Sequence, residues 1–269
     1  MIPLSVCIVT QNEEHNLPRA LEAVRDIADE IVVVDAGSTD RTQEIARQAG
    51  ARVFVRPFTN HSDQKNYAAS LAANDWIFLL DADEQPDETL RCSIQEWKQN
   101  QAEHSVYEMA RLTWYLGAWI RHSRWYPDYK ERIYRRDQAE FHDVIHSALR
   151  FQGRAGRLRG DLLHYSFRSL EDHEAKIERY STVLAQDLFD RGRRNWRAAM
   201  WLATPWRWFH HFVLGAGFLD GKRGALIARL AARSTWLKFS KLGQLVEAEK
   251  RRESGAAGSA SYTRTGSGN

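Results

Sequence analysis

Residues 76–86 read WIFLLDADEQP: five apolar residues, then two carboxylates one residue apart. The apolar part, Trp76–Leu80, is short and non-alternating, which predicts a strand buried on both faces. Asp81 and Asp83 then fall at its carboxyl end. Similar runs precede it at Leu4–Thr10 (LSVCIVT), Ile31–Asp35 (IVVVD) and, more briefly, Ala51–Val55. Helical patterns lie between them. Leu17, Leu21, Val24 and Ala28 share a face within 16–28, Arg41–Ala49 stops at Gly50, and Ser62–Ala73 reads as a third helix. This alternation predicts an α/β fold, with a Rossmann-like, mostly parallel sheet and flanking helices. Such sheets bind ligands outside the carboxyl ends of their strands. Asn12, Asp35, Asp81 and Asp83 therefore belong on one rim.

Two carboxylates on such a turn can share a divalent cation, Mg²⁺ or Mn²⁺, whose remaining positions go to water and phosphate oxygens. A lone DxD triplet is weak, but it has company. The first strand ends in Thr10-Gln11-Asn12-Glu13, residues 32–40 read VVVDAGSTD, and Asp63-Gln64-Lys65-Asn66 precedes FLLDADEQP. Over residues 4–90 this set resembles a family 2 glycosyltransferase of the GT-A fold. The resemblance implies that Asp35 accepts from the nucleotide base, with Thr10, Asn12 and Glu13 lining the nucleoside pocket. It implies that Lys65 lies near base and phosphates, Asp81 near ribose and metal, and Asp83 on the metal. Asp40 is read instead as a cap for the helix at Arg41.

The second half differs in composition. Residues 1–110 carry nine basic and nineteen acidic side chains, a net of −10, whereas residues 111–269 carry a net of +13 and eight of the ten tryptophans. The motifs WYPDYKERIYRR (125–136), LLHYSF (162–167) and GFLDGKRG (217–224) resemble bacterial β-1,4-glucosyltransferases of the lipopolysaccharide inner core. This implies a UDP-sugar donor, UDP-glucose foremost, and a lipid-anchored envelope glycan as acceptor. That subgroup commonly has His-Glu where this chain has His146-Ser147, so the base for an inverting transfer is sought elsewhere. Asp128 is the first choice, on an expected loop flanked by Trp125, Tyr126 and Tyr129. Glu131 is the second and Asp143 the third. His164 could complete the metal or touch the diphosphate. His142 reads as a structural histidine, and His142 with His146 lacks the glutamate of a zinc-helix motif.

The expected organisation is a nucleotide-sugar half (1–110), an acceptor half (111–169), a C-terminal helical region (170–253) opened by a capping box at Ser169, and a disordered tail (254–269). Two cysteines, Cys7 and Cys92, give no disulfide framework or CxxC site. No signal peptide is expected. The apolar window Met200–Leu219 is broken by Pro205, Arg207, His210 and His211, so no spanning helix is expected. Residues 193–241 interleave Arg and Lys with Trp and Phe, the composition of an interfacial segment. The expectation is thus a protein peripheral at the cytoplasmic face of the inner membrane. Nucleic acid is disfavoured for want of a binding module, and a nucleotidyltransferase because Gln11–Glu14 is no Gly-rich basic loop. A transferase acting on polyprenyl phosphate and a catalytically dead glycan- or membrane-binding protein remain open.

Overall fold

A computed structural model describes residues 1–142, 147–167 and 169–262, with side chains of 253 and 255–262 left aside. The chain forms two compact units, residues 1–119 with 125–166, and residues 120–124 with 167 onward. In chain order the strands are β1 (Leu4–Thr10), β2 (Glu30–Asp35), β3 (Arg52–Val55), β4 (Trp76–Asp81), β5 (Glu84–Pro86), β6 (Val106–Tyr115), β7 (Ala118–Ile120), β8 (Asp128–Arg135), β9 (Ala139–His142), β10 (Ala148–Phe151) and β11 (Gly156–His164). The helices are α1 (Leu17–Val24), α2 (Thr42–Gln48), α3 (His61–Ser70), α4 (Glu88–Gln99), α5 (Leu170–Asp190), α6 (Arg197–Phe209) and α7 (Gly221–Tyr262).

The first unit is built on one sheet of order β3-β2-β1-β4-β8-β6-β11-β5, with β7 beside β6. Four of these seven neighbour pairs are parallel, including all three among β1 to β4. The α/β fold with flanking helices is therefore as expected. The sheet turns antiparallel where β8 enters beside β4. The apolar strands behave as their composition dictates. Leu4, Val6, Ile8, Phe78 and Leu80 bury one face with Leu17, Leu21 and Val24 of α1 and Leu90 and Ile94 of α4. Cys7, Val32, Val34, Ile77 and Leu79 bury the other with Ala68 and Ala69 of α3. Each buried aliphatic side chain contributes about 1.5–3 kcal/mol.

Register then sets the rim. Val9 pairs with Asp81 across β1–β4, and Thr10 pairs with Asp35 across β1–β2. Residues far apart in sequence thus end adjacent strands together. On the other side of the sheet Leu163 and His164 of β11 pair with Gln85 and Glu84 of β5.

Strand β6 runs to Tyr115 and carries Trp114, and Trp119 lies on β7. Two sequence expectations shift. Asp128 opens strand β8 instead of sitting in a loop. Helix α7 reaches Tyr262, so it takes in residues 254–262 of the expected tail, while 263–269 lie outside the described residues. Ser169 is the N-cap of α5, at the position where the capping box is expected, and accepts from the Asp172 N–H at 3.2 Å.

In the second unit α5, α6 and α7 share a small core of Ala185, Met200, Phe239, Leu242 and Val246. A π-helical turn (His210–Leu214) and a 3₁₀ turn (Gly217–Asp220) join α6 to α7. Buried Asp220 accepts from the backbone N–H of Arg121 and His122 and from the Ser123 hydroxyl, tying 120–124 into this unit. Among the described residues no helix is long and apolar enough to cross a membrane.

Candidate active site

The rim begins with a knot between the ends of β1 and β2. Asn12 adopts left-handed backbone, φ 55°, a conformation asparagine tolerates better than most residues. Its N–H donates to Ser38 Oγ at 2.8 Å, and its Oδ1 accepts from the Thr39 N–H at 2.8 Å. The Glu13 N–H donates to Thr42 Oγ1 at 2.9 Å. Asp40 accepts from the Glu14 N–H and from the N–H and hydroxyl of Thr42, so it holds the start of α2 against the 12–14 loop. It ties the helix as expected of a cap, although the N-cap position itself is Arg41.

Asp35 is fully buried, and both its oxygens are engaged inside this loop. Oδ1 accepts from Gly37 N–H (3.0 Å), Ser38 N–H (2.8 Å) and Gln43 Nε2 (2.8 Å), and Oδ2 accepts from the Ser38 hydroxyl. Thr10 Oγ1 is buried beside it without a hydrogen-bond partner among the described residues.

The charged centre lies at the end of β4. Asp81 Oδ1 is 3.3 Å from Lys65 Nζ, and Oδ2 accepts from Arg132 at 2.9 Å. Arg132 also donates to Glu84 at 2.6 Å; both side chains are buried. Arg111 reaches Glu84 at 3.3 Å and Asp128 at 2.7 Å, and Lys130 meets the other oxygen of Asp128 at 3.0 Å. Lys65, Asp81, Arg132, Glu84, Arg111, Asp128 and Lys130 thus form one continuous chain of alternating charge. Asp83 stands next to it, with Oδ2 3.4 Å from His164 Nε2, while His164 Nδ1 is 3.5 Å from Thr113 Oγ1.

Electrostatics follow from these pairs. Loss of solvent opposes the charge on Asp81, but Lys65 and Arg132 overcome it and hold the carboxyl well below the usual range. Burial likewise opposes the charge on Asp83, and the His164 hydrogen bond prevails. Burial also opposes ionisation of Asp128, yet Arg111 and Lys130 push its carboxyl down. For Lys65, burial wins and lowers the ammonium pKa despite Asp81.

Two predicted roles meet obstacles in this geometry. Both oxygens of Asp81 already face cations, so Asp83 and His164 are the two residues here that could contribute to a divalent ion, and among the described residues no group of three or more such ligands comes together. The carboxylate of Asp83 suits Mn²⁺ or Mg²⁺ when water and phosphate oxygens complete the shell, whereas the imidazole of His164 is a softer donor than Mg²⁺ prefers. Asp128 joins the cluster only as a doubly paired carboxylate. Glu131 lies opposite Glu108 of β6. His142 is paired with Glu140 at 3.6 Å, as a structural surface residue would be. Ser147 Oγ is 3.1 Å from Ser62 Oγ. Asp143 and His146 lie outside the described residues.

Sequence reasoning passed over Glu84, Arg111 and Arg132. Glu84 directly follows the DxD triplet, and Arg132 precedes the apolar Ile133-Tyr134. A charge next to core residues must be paired, and that was the available signal. A cleft of about 690 Å³ lies away from this cluster, lined by Tyr134, Arg136, His142 and Arg150 near the amino end of β4.

The model of glycosyl transferase family 2 matches residues 5–152, which span β1 to β10. The chain is a family 2 glycosyltransferase. This glycosyltransferase is 32% identical to an uncharacterized glycosyltransferase of Rickettsia typhi over 91% of this chain and 88% of that one. It is 29% identical to the lipopolysaccharide core biosynthesis glycosyltransferase LpsC of Rhizobium meliloti, over 89% of this chain and 94% of LpsC. Glucosyl-3-phosphoglycerate synthase of Mycobacterium tuberculosis, solved with Mn²⁺, UDP and glucosyl-3-phosphoglycerate, covers 42% of the chain with a TM-score of 0.35 and 19% identity. His164 and the part of the helical unit from residue 167 onward lie beyond the residues the family model matches.

Proposed function

We propose that this glycosyltransferase is an inverting, metal-dependent enzyme that moves a hexose from a UDP-sugar, UDP-glucose foremost, to a lipid-anchored envelope glycan of the lipopolysaccharide inner-core type. Its place would be the cytoplasmic face of the inner membrane. The observation that carries the reading is the pairing of Asp83 with His164 beside Asp81, at the carboxyl end of β4. The similarity to LpsC supports the acceptor class.

In this reading the knot of Asn12, Glu13 and the 36–40 loop walls the nucleoside pocket. Asp35 shapes that wall from within; direct contact with a base would require the Ser38 hydroxyl to swing away. The unpaired Thr10 Oγ1 is the polar atom that gains most from a nucleoside, because a buried unsatisfied group costs about 1–3 kcal/mol. Asp83 and His164 would hold the divalent cation, which when bound offsets the charge of the leaving diphosphate. Lys65 and Arg132 keep Asp81 ionised and fixed in place.

Asp128 remains the proposed base for the acceptor hydroxyl, with Glu131 second. Arg111 orients Asp128 but weakens it as a proton acceptor, so its contribution falls towards the lower end of the usual 10²–10⁴-fold. That pairing is also the observation that favours a rival acceptor, a polyprenyl phosphate, which is already an anion and needs no base.

The test is thermal stabilisation by UDP, GDP, CDP and ADP, each with Mn²⁺ and with EDTA, in wild type and Asp83→Ala. Ligand at 100 times its Kd adds about 2.7 kcal/mol, which for a chain of this size raises Tm by several degrees, about 2–4 °C per kcal/mol. The expected result is a UDP-selective, Mn²⁺-dependent shift that Asp83→Ala removes. No shift with any nucleotide would defeat the reading and leave a glycan- or membrane-binding protein on this fold.

A further inference from the structure

Helix α6 buries one side and leaves the other uncovered. Met200, with Ala199 and Ala203 against it, packs into the core of the helical unit. Trp201, Leu202 and Trp206 are 66%, 73% and 56% exposed. Leu202, Trp206, Phe209 and Val213 follow at spacings of four, three and four, so they share one stripe along α6 and the π-helical turn. The aromatic surface is continuous with the next turn. Trp206 lies 5.9 Å from Phe209 between ring centroids, Trp208 stacks on Phe212 at 5.0 Å, and Phe212 meets Phe218 edge-on at 6.3 Å. Phe218 and Leu219 of the 3₁₀ turn are themselves exposed. A contiguous apolar surface of this kind is costly in water and marks an interaction site.

The charges within it are mainly basic. Residues 197–223 contain Arg197, Arg207, Lys222 and Arg223 against a single acid, Asp220, and Arg197 is paired with Glu247 of α7 at 3.4 Å, so Arg207 and Lys222 are the cations on which the ridge relies. Asp220 is buried and spent on Arg121, His122 and Ser123. The ridge therefore offers tryptophan and phenylalanine rings ringed by cations. Rings of this type sit at headgroup depth, and the cations meet anionic headgroups.

We propose that the ridge formed by α6, the π-helical turn and the 3₁₀ turn is a docking face for an anionic lipid surface, inserted by Trp206, Phe209, Phe218 and Leu219 and steered by Arg207 and Lys222. The proposal concerns the helical unit alone and stands or falls apart from the transferase reading.

Flotation of the full chain with phosphatidylcholine vesicles, with and without phosphatidylglycerol, tests it. Wild type should float with the anionic vesicles, weakly or not at all with pure phosphatidylcholine, and less at high salt. The double variant Trp206→Ser/Phe209→Ser should weaken partitioning about a hundredfold, since each ring withdrawn from the interface costs about tenfold or more. Arg207→Glu should cost about fivefold or more. Tyr180→Ser, exposed on α5 and outside the ridge, should bind as wild type does. Circular dichroism and Tm of each variant report that it is folded. Failure of wild type to float with anionic vesicles overturns the proposal, as does full binding by the folded double variant. Wild type that ignores vesicles but forms a dimer in light scattering, dissolved by the double variant, makes the ridge a contact between copies and overturns it too.

Discussion

At the scale of single residues, the site is a line of carboxylates whose neighbours decide their behaviour. Asp128 faces Arg111 and Lys130, so its exchange for asparagine removes the proposed base, takes the anion from Lys130 and leaves Arg111 with Glu84 alone. Asp128→Asn should lower kcat about a hundredfold with a smaller change in the KM of the donor, measured with a purified acceptor. Undiminished turnover would instead point to an acceptor that arrives ionised. Glu84 has no solvent exposure and stands between Arg111 and Arg132. Glu84→Gln leaves buried Arg132 short of an anion, and urea denaturation should show a loss of about 3 kcal/mol or more. A loss under 1 kcal/mol would mean that the buried pair is dispensable. The DxD triplet made Asp81 and Asp83 visible in the sequence. The cations that take up Asp81 were not, because Lys65 and Arg132 come from other elements, and a linear pattern does not report pairings across a sheet.

At the scale of elements, the arrival of β11 is what brings His164 to Asp83 in the proposed site. Gly160, at φ +100°, lies within the irregularity of β11 between Arg157 and Asp161. A Cβ there would meet the Leu90 backbone nitrogen of α4 at 2.2 Å, so no side chain fits without displacing strand or helix. Beyond this point β11 pairs with β6 and β5 and delivers His164 beside Asp83. Gly160→Ala should therefore cost about 3 kcal/mol and weaken the Mn²⁺-dependent part of the UDP thermal shift more than the shift seen in EDTA. Equal weakening of both would separate β11 placement from the metal. The strands β1, β2 and β4 were legible from their apolar runs, since burial on both faces leaves an uninterrupted hydrophobic signature. The extent of β6 and the strand identity of Asp128 were not. Here the pattern is broken by Glu108 and Arg111, charges that answer to partners across the sheet, and by Lys130, which answers to Asp128 on its own strand.

At the scale of the whole molecule, the two units should respond differently to mild acid. In the helical unit, burial lowers the pKa of His173 to about 4 and also lowers that of His211, whose Nδ1 lies 2.8 Å from the Ser123 carbonyl oxygen. As pH falls below the ordinary histidine value of about 6.5, the unfolded chain takes up protons that the folded unit refuses. Stability drains away until about pH 4, where His173 protonates in both states. In the sheet unit Asp29, Asp81, Asp83 and Asp128 have lowered pKa values. Their contribution is intact above the ordinary carboxylate range and is lost only as pH falls below about 4. Hydrogen exchange resolved by peptide should thus show α5 and the π-helical turn losing protection between pH 7 and pH 5, while β1, β2 and β4 keep theirs. Uniform loss across both units would refute the histidine account.

The sequence by itself determined the alternating α/β order, the rim on which Asn12, Asp35, Asp81 and Asp83 gather, and the family. The first two depend on local period and short spacing, and the family on the resemblance that the motifs of residues 4–90 carry. It also carried the unequal charge and the tryptophans of the second half. The tertiary structure alone decided which carboxylates are available. It consumes Asp35 in its own loop, locks Asp81 between Lys65 and Arg132, and leaves Asp83 to His164. It likewise decided which tryptophans of α6 remain uncovered. Those outcomes depend on register and packing between segments distant in sequence, and a charge or an aromatic ring acquires its role only from the neighbours that the fold brings to it.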